Sequence, residues 1–181
     1  NALYLEGNQL EELPAEVGEL STLQFLRLNA NRLKALPPAI CQLTELRALL
    51  ASGNCLVGLP STVSAWKQLV TLQLQNNLIA KLTPAIGSLD SLQHLYLNGN
   101  KLCGLPREVG NLASLQTLIV SSNELTDVPE ELWTLPSVTQ LNLAANRLKE
   151  MGNGASLDMP SLTELNMEDN ALQSLPELFG Q

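Results

Sequence analysis

Apolar and polar positions along this chain follow one motif that returns every 23 residues. The motif can be written LxxLxLxxNxLxxLPxxIxxLxx, and copies start near residues 23, 46, 69, 92, 115, 138 and 162, with partial copies at the beginning and the end. A fixed period of this length, with leucine locked to one phase, predicts a solenoid of stacked coils. Each coil would bury its apolar face against its neighbours, because one copy alone cannot enclose a core.

The first half of each copy predicts a short strand. Its xLxL stretch alternates apolar and variable residues, which indicates one buried face and one open face. Leu26 with Leu28, and Leu95 with Leu97, are two of the inward pairs. A strand of about four residues is not stable alone. We therefore expect about eight such strands to stack side by side in a parallel sheet.

The second half of each copy predicts a return limb outside the sheet. Proline lacks a backbone donor and has a restricted φ, so motifs such as Leu36-Pro37 and Leu105-Pro106 exclude a central strand. The apolar spacing after the proline fits one 3₁₀ or α-helical turn. Gly152 replaces the proline in the seventh copy, which gains one residue, and we expect a bulged convex loop there.

One asparagine follows each predicted strand, at the same position of every copy. The set comprises Asn8, Asn31, Asn54, Asn77, Asn100, Asn123, Asn146 and Asn170. A primary amide supplies two N–H donors and a carbonyl acceptor. At a tight turn it can therefore bond to backbone groups that the bent chain leaves unpaired. We interpret these residues as a structural ladder rather than as ligands for a partner.

Composition and charge restrict the class of partner. The chain has 181 residues, of which 45% are hydrophobic and only 3% aromatic, and its formal net charge is -8. A negative charge of this size disfavours nucleic acid and anionic membrane surfaces as partners. The chain contains no apolar run of about 18 residues, so the sequence predicts no segment inserted into a membrane.

The chain begins and ends inside copies of the repeat, so we expect residues 1–181 to form one repeat domain that is a fragment of a longer protein.

Catalytic and metal chemistry has no sequence signature in this chain. His94 is the single histidine, and neither a glycine-rich phosphate loop nor a metal-ligand spacing occurs. Cys41, Cys55 and Cys103 fall at different phases of the repeat, so we expect free thiols. Free thiols favour a reducing intracellular compartment, most simply the cytoplasm. We predict no enzymatic activity, no cofactor, no metal and no small-molecule substrate.

With these motifs the chain resembles the leucine-rich repeat proteins over essentially its whole length. The form LPxxIxxLxxLxxLxLxxN is similar to the intracellular group that includes Ras-associated, scribble-type and plant Ras-group repeat proteins, and to some bacterial proteins. The resemblance implies an α/β fold: a curved solenoid with the parallel sheet on its concave face and 3₁₀, short helical or irregular limbs on its convex face. It also implies protein binding as the usual role, with a small GTPase or a subunit of a larger complex as partner.

Function is expected at the variable positions that flank the inward leucines, because these face solvent. The candidate protein-binding residues of the concave face are Tyr4, Phe25, Arg27, Arg47, Leu50, Gln73, His94, Tyr96, Ile119, Asn142, Glu164 and Glu168. Tyrosine and arginine are favoured anchors at interfaces. Side chains already ordered by a scaffold lose little entropy on binding. Scattered exposed apolar residues are, however, also normal on protein surfaces.

Three functional hypotheses follow. The favoured one is a scaffold or adaptor module that binds a protein on its concave face. The second is a substrate- or regulator-recognition region of a larger enzyme, such as a ligase, phosphatase or kinase. The third is a structural subunit of a large assembly, in which convex and edge surfaces would matter more.

Overall fold

Short parallel strands, one per repeat, form a single open sheet in the computed structural model, which describes residues 1–151 and 158–174. Within these residues the sheet has eight strands: β1 (Ala2–Tyr4), β2 (Phe25–Arg27), β3 (Ala48–Leu50), β4 (Thr71–Gln73), β5 (His94–Tyr96), β6 (Thr117–Ile119), β7 (Gln140–Asn142) and β8 (Glu164–Asn166). They lie side by side in sequence order. The predicted stacked sheet is confirmed, with strands of three residues rather than about four.

The register advances by one repeat at each strand, so equivalent side chains form straight rows across the sheet. Leu26 lies opposite Leu49, and Arg27 lies opposite Leu50. The central leucine of each strand points into the core: Leu26, Leu49 and Leu95 have no exposed side-chain surface. The residues on either side of it face outward on the concave face of the sheet.

Short 3₁₀ helices carry the chain back along the convex side, which is one of the forms that the sequence left open. They span Ala15–Glu19, Pro38–Gln42, Val63–Ala65, Pro84–Ser88, Arg107–Asn111 and Glu130–Thr134. An extended proline, such as Pro37 or Pro106, precedes most of them. Thr83 replaces this proline in the fourth repeat, and its hydroxyl oxygen accepts a hydrogen bond from the backbone N–H of Ala85 at 3.3 Å. The bulged loop predicted around Gly152 lies outside the described residues.

Leucine fills the core, which runs the length of the described solenoid between the sheet and the 3₁₀ helices. Trp66 occupies a leucine position and is fully buried. Its indole N–H donates to the backbone carbonyl of Ile40 at 3.2 Å, so the larger side chain is accommodated without an unpaired donor. This bond joins two consecutive repeats.

Candidate concave binding surface

The asparagine that follows each strand joins its own repeat to the preceding one. The amide Nδ2 of Asn31 donates to the carbonyls of Leu5 (2.8 Å) and Leu28 (3.0 Å), while its Oδ1 accepts from the backbone N–H of Leu10 at 3.0 Å. The same three-way pattern recurs at Asn54, Asn77, Asn100, Asn123, Asn146 and Asn170. Asn8 differs, since it is exposed and its Nδ2 donates only to Leu5 and Glu6 carbonyls of its own repeat.

A left-handed residue precedes every one of these asparagines, a feature that the sequence analysis missed. The residues are Gly7, Ala30, Gly53, Asn76, Gly99, Ser122, Ala145 and Asp169, with φ between 52° and 70°. This conformation turns the chain out of the strand and directs the next amide into the corner. The signal was present in the sequence, because Gly, Asn and Asp, which tolerate positive φ, occupy five of the eight positions.

Two rows of outward side chains flank the buried leucines on the concave face. The first row comprises Ala2, Phe25, Ala48, Thr71, His94, Thr117, Gln140 and Glu164, and the second comprises Tyr4, Arg27, Leu50, Gln73, Tyr96, Ile119, Asn142 and Asn166. The structure thereby brings together all but two of the candidate residues. Glu168 lies just after β8, beside the second row.

Arg47 lies apart from these rows. It precedes β3 and is exposed at the edge where the strands begin. There it lines a shallow groove with Gln68, Val70 and Asp90. Arg47 therefore faces a different side of the solenoid from Arg27 and Leu50.

The first end of the concave face carries aromatic and cationic groups. Tyr4 is 60% exposed and Phe25 is 42% exposed. The Arg27 guanidinium lies over the Tyr4 ring, 4.8 Å from its centroid, and 3.9 Å from a carboxylate oxygen of Glu6. Such a stacked cation is held in place yet keeps donors free for a partner.

The side chains in the middle of the concave face are half-buried. Leu50, Gln73, Tyr96 and Ile119 are each partly exposed. The imidazole Nδ1 of His94 lies 3.3 Å from the Thr117 hydroxyl, which gives this histidine a hydrogen-bonded place in the first row.

At the last end, the Glu164 carboxylate accepts a hydrogen bond from the Gln140 side-chain amide at 3.0 Å. Asn142 accepts from the backbone N–H of Ala144 at 3.0 Å. Glu168 is exposed and accepts from the Asn166 side chain at 3.3 Å. The concave face therefore runs from an aromatic and cationic end to an end with two exposed carboxylates.

Serine hydroxyls support the edge where the strands begin, another feature that the sequence analysis missed. Ser114, Ser137 and Ser161 donate to the carbonyls of Asp90, Ala113 and Pro136, at 2.8, 2.7 and 2.8 Å. Each bond joins one repeat to the preceding one. The signal in the sequence was a serine placed directly before the first apolar residue of repeats five to eight.

The thiols differ in exposure. Cys41 is buried, and desolvation raises its pKa, although a hydrogen bond with Thr62 opposes that rise. Cys55 is half-buried and Cys103 is exposed.

In residues 1–151 and 158–174, no three His, Cys, Asp or Glu side chains are grouped to hold a metal ion. No helix in this part of the chain has the length and hydrophobicity needed to cross a bilayer.

Sequence-family comparisons match nearly the whole chain to leucine-rich repeats. A family described as a leucine-rich repeat region matches residues 2–81. A second leucine-rich repeat family matches residues 104–148 and 136–181, and a third matches residues 91–112. Among curated proteins, no sequence matches the chain.

Solved structures with the same fold include bacterial and plant proteins. A leucine-rich repeat protein of Leptospira interrogans is 32% identical, with a TM-score of 0.74 over 98% of this chain and 51% of its own. A TDR receptor is 32% identical, with a TM-score of 0.85 over 94% of this chain and 30% of its own. The plant peptide hormone receptor RGFR1, in complex with RGF2, is 28% identical, with a TM-score of 0.73 over 93% and 32%. The chain thus spans about half or less of the length of these structures.

Proposed function

This chain is a member of the leucine-rich repeat proteins, and we propose on that premise that it is a scaffold or adaptor module whose concave sheet binds a polypeptide partner. One observation carries the proposal. The two concave rows present side chains that the scaffold itself does not need, including Tyr4, Phe25, Arg27, Tyr96 and Ile119. The apolar packing lies beneath them, in the central leucines.

The geometry of the rows favours a polypeptide over a small molecule. Strands in a sheet lie about 4.8 Å apart, so seven intervals extend the face over roughly 34 Å. A surface of that length suits a partner segment of many residues. The plant peptide hormone receptor RGFR1, solved in complex with RGF2, supports a polypeptide partner for a protein of this fold.

The charge along the face favours one orientation of the partner. An anionic group would lie near Arg27 at the first end, and cationic groups near Glu164 and Glu168 at the last end. Complementary charges of this kind increase association rates and discriminate between partners more than they add affinity.

A small GTPase as partner and a cytoplasmic location remain predictions. The free thiols Cys41, Cys55 and Cys103 support a reducing compartment.

A paired substitution tests the concave face. The change Tyr96→Asp with Ile119→Asp places two charges in adjacent strands of the second row. In affinity capture from cells of the source organism, quantified by mass spectrometry, we expect proteins retained by the parent to fall at least about tenfold, because each buried charge would be unpaired. Unchanged capture by a variant with parental circular dichroism and melting would contradict the proposal.

The matched control introduces the same two charges on a different side of the same repeats. Ala113 and Gln116 are exposed at the edge where the strands begin. The variant Ala113→Asp with Gln116→Asp should capture partners as the parent does. Equal losses in both variants would show that net charge, rather than the concave rows, governs binding.

The two alternatives from the sequence analysis remain distinguishable. A catalytic domain in the full-length polypeptide would support the recognition region of a larger enzyme, which would use the same concave rows. For a structural subunit, the isolated chain should capture no single partner and should be retained only by its assembled complex.

A further inference from the structure

The loops that follow β2 to β5 stack in register and form a second regular surface, away from the concave rows. These loops comprise residues 31–36, 54–59, 77–82 and 100–105, and we call their outward side the carboxy edge. The backbone N–H groups of Arg32, Cys55, Leu78 and Lys101 each donate to a carbonyl of the preceding loop, at 2.8, 2.9, 2.9 and 3.0 Å. The next residue of each loop, such as Leu56 or Ile79, is fully buried. The residues on either side of it therefore face outward and lie beside their equivalents in neighbouring repeats.

An apolar strip occupies the middle of this edge. Val57 is 64% exposed and Leu78 is 43% exposed. Ala80 and Cys103 are also exposed, and Cys55 is half-buried. Val57, Ala80 and Cys103 hold the same position in consecutive repeats, so they form a continuous row. Repeats lie on both sides of the strip, so its exposure does not arise from a missing neighbour.

Cations lie at both ends of the strip. Arg32 and Lys34 precede it, and Lys81 and Lys101 lie at its other end. The four loops contain no Asp or Glu, although the chain as a whole has a net charge of -8. The Lys34 ammonium bonds to Glu11 at 2.8 Å. Within the described residues, Arg32, Lys81 and Lys101 form no salt bridge.

Acidic residues define the limits of this basic segment. The loop before it carries Glu11 and Glu12, and the loop after it carries Glu124 and Asp127. The pattern along the edge is therefore acidic, basic with an apolar centre, and acidic again. A partner can satisfy such a pattern only with charges at matching intervals, which is a source of specificity.

We propose that the carboxy edge is a docking surface for a short extended segment of another protein, in which acidic residues flank an apolar centre. Four stacked loops span roughly 14 Å, or three intervals of about 4.8 Å. An extended chain advances about 3.3 Å per residue, so about five residues cover that distance. Carboxylates at the two ends would meet Arg32 and Lys101, and apolar side chains between them would cover Val57 and Leu78. This surface is separate from the concave rows, so the inference does not depend on the proposed function.

The apolar centre favours a peptide over a nucleic acid. Phosphate groups could pair with the cations, but the strip around Val57 and Leu78 contains no aromatic side chain on which bases could stack. A polyanion would also meet the flanking carboxylates and the negative net charge, which oppose its approach. A peptide segment can match both the charges and the apolar strip over about five residues.

A subtractive selection of displayed peptides tests the proposal. Random nine-residue peptides are selected on the 181-residue chain and depleted on the variant Val57→Asp with Leu78→Asp. We expect the surviving peptides to carry Asp or Glu on both sides of apolar residues. The proposal is overturned if no peptide survives depletion, or if the survivors show no enrichment of acidic residues.

Affinity measurements on the best surviving peptide identify the groups that hold it. By fluorescence polarisation, Lys81→Glu with Lys101→Glu should weaken binding at least about tenfold, because close opposite charges become like charges. Binding should also weaken between about 0.1 and about 1 M salt, as the Debye length falls from about 10 to about 3 Å. Binding that ignores both changes would contradict the proposal.

Control variants separate this surface from the concave one and from nonspecific charge. Thr126→Asp with Ala171→Asp places two charges at equivalent loop positions in other repeats, and Tyr96→Asp with Ile119→Asp alters only the concave rows. Both variants should bind the peptide as the parent does. If only the concave variant lost binding, the peptide site would belong to the concave face and this proposal would fail.

Two further probes decide the class of partner. A mixed-sequence single-stranded DNA of about 20 nucleotides and vesicles containing phosphatidylserine are tested with the same variants. We expect neither to bind in a manner that depends on Lys81 and Lys101. Lysine-dependent binding of either probe, with no peptide selected, would identify a phosphate site and overturn the peptide assignment.

Discussion

At the scale of single residues, the corner asparagine supplies hydrogen bonds that no leucine could provide. Asn100 donates to the carbonyls of Leu74 and Leu97, at 2.9 and 2.8 Å, and accepts from the backbone N–H of Ile79 at 3.0 Å. Two of these groups belong to the preceding repeat. Backbone polar groups at this depth have no access to water, so the amide stabilises both repeats.

The substitution Asn100→Ala should lower the free energy of unfolding by about 1–3 kcal/mol or more, because backbone groups lose their partners. Chemical denaturation followed by circular dichroism measures the loss. Asn8→Ala is the matched control, since Asn8 is exposed and bonds only within its own repeat. Asn8→Ala should lower the free energy of unfolding by less than Asn100→Ala does. Equal losses at the two sites would show that the bonds between repeats contribute nothing.

At the scale of elements, the 3₁₀ helices of consecutive repeats pack so closely that some positions exclude a side chain. A Cβ atom added at Gly87 would overlap the backbone carbonyl of Glu108, and one added at Gly110 would overlap the Glu131 side chain. Glycine at these positions lets the convex limbs approach one another. The close packing sets the spacing on the outer side of the solenoid and therefore contributes to its curvature.

The substitution Gly87→Ala should therefore be destabilising, by about 1–3 kcal/mol, because backbone must move to accept the methyl group. Gly58→Ala is the control: a Cβ added there meets no atom within 4 Å, and its backbone has no positive φ. That change should be neutral or slightly stabilising, because alanine reduces the entropy of the unfolded chain. Comparing the two melting temperatures tests this account, which fails if Gly87→Ala melts like the parent.

At the scale of the whole molecule, stability depends on neighbours in the stack. Every strand of the described sheet pairs only with the strands before and after it, and each described 3₁₀ helix lies beside its counterparts in adjacent repeats. In such a linear array the stability of one repeat depends on two interfaces, whereas an end repeat has one. Opening should therefore begin at the ends of the sheet.

Amide hydrogen exchange of the 181-residue chain measures how the free energy of local opening changes from the ends of the sheet to its middle. After correction for intrinsic exchange rates, strand amides of β4 and β5 should exchange at least about tenfold more slowly than those of β1 and β8, since local opening costs less free energy at an end. Uniform protection across all eight strands would instead indicate that the solenoid opens only as one cooperative unit.

The sequence by itself determined the strand order, the parallel pairing and the one-repeat register. A leucine pattern repeated every 23 residues can be buried only if each copy lies against its neighbours in the same phase. The pattern also distinguished outward positions such as Tyr96 from inward ones such as Leu95, because a strand has a period of two. The convex limbs were predictable from proline, although their 3₁₀ form was one of several expected alternatives.

The tertiary structure alone decided the features that depend on distances between repeats. It placed Arg47 at the edge where the strands begin, outside the concave rows, and it identified left-handed residues such as Ala30 and Ala145. It also brought Val57 and Leu78 together in an exposed strip, although they are separated in sequence. A one-dimensional pattern records which side chains are apolar. Whether an apolar side chain in a loop is covered depends on the packing of the next coil, which only the stacked structure provides.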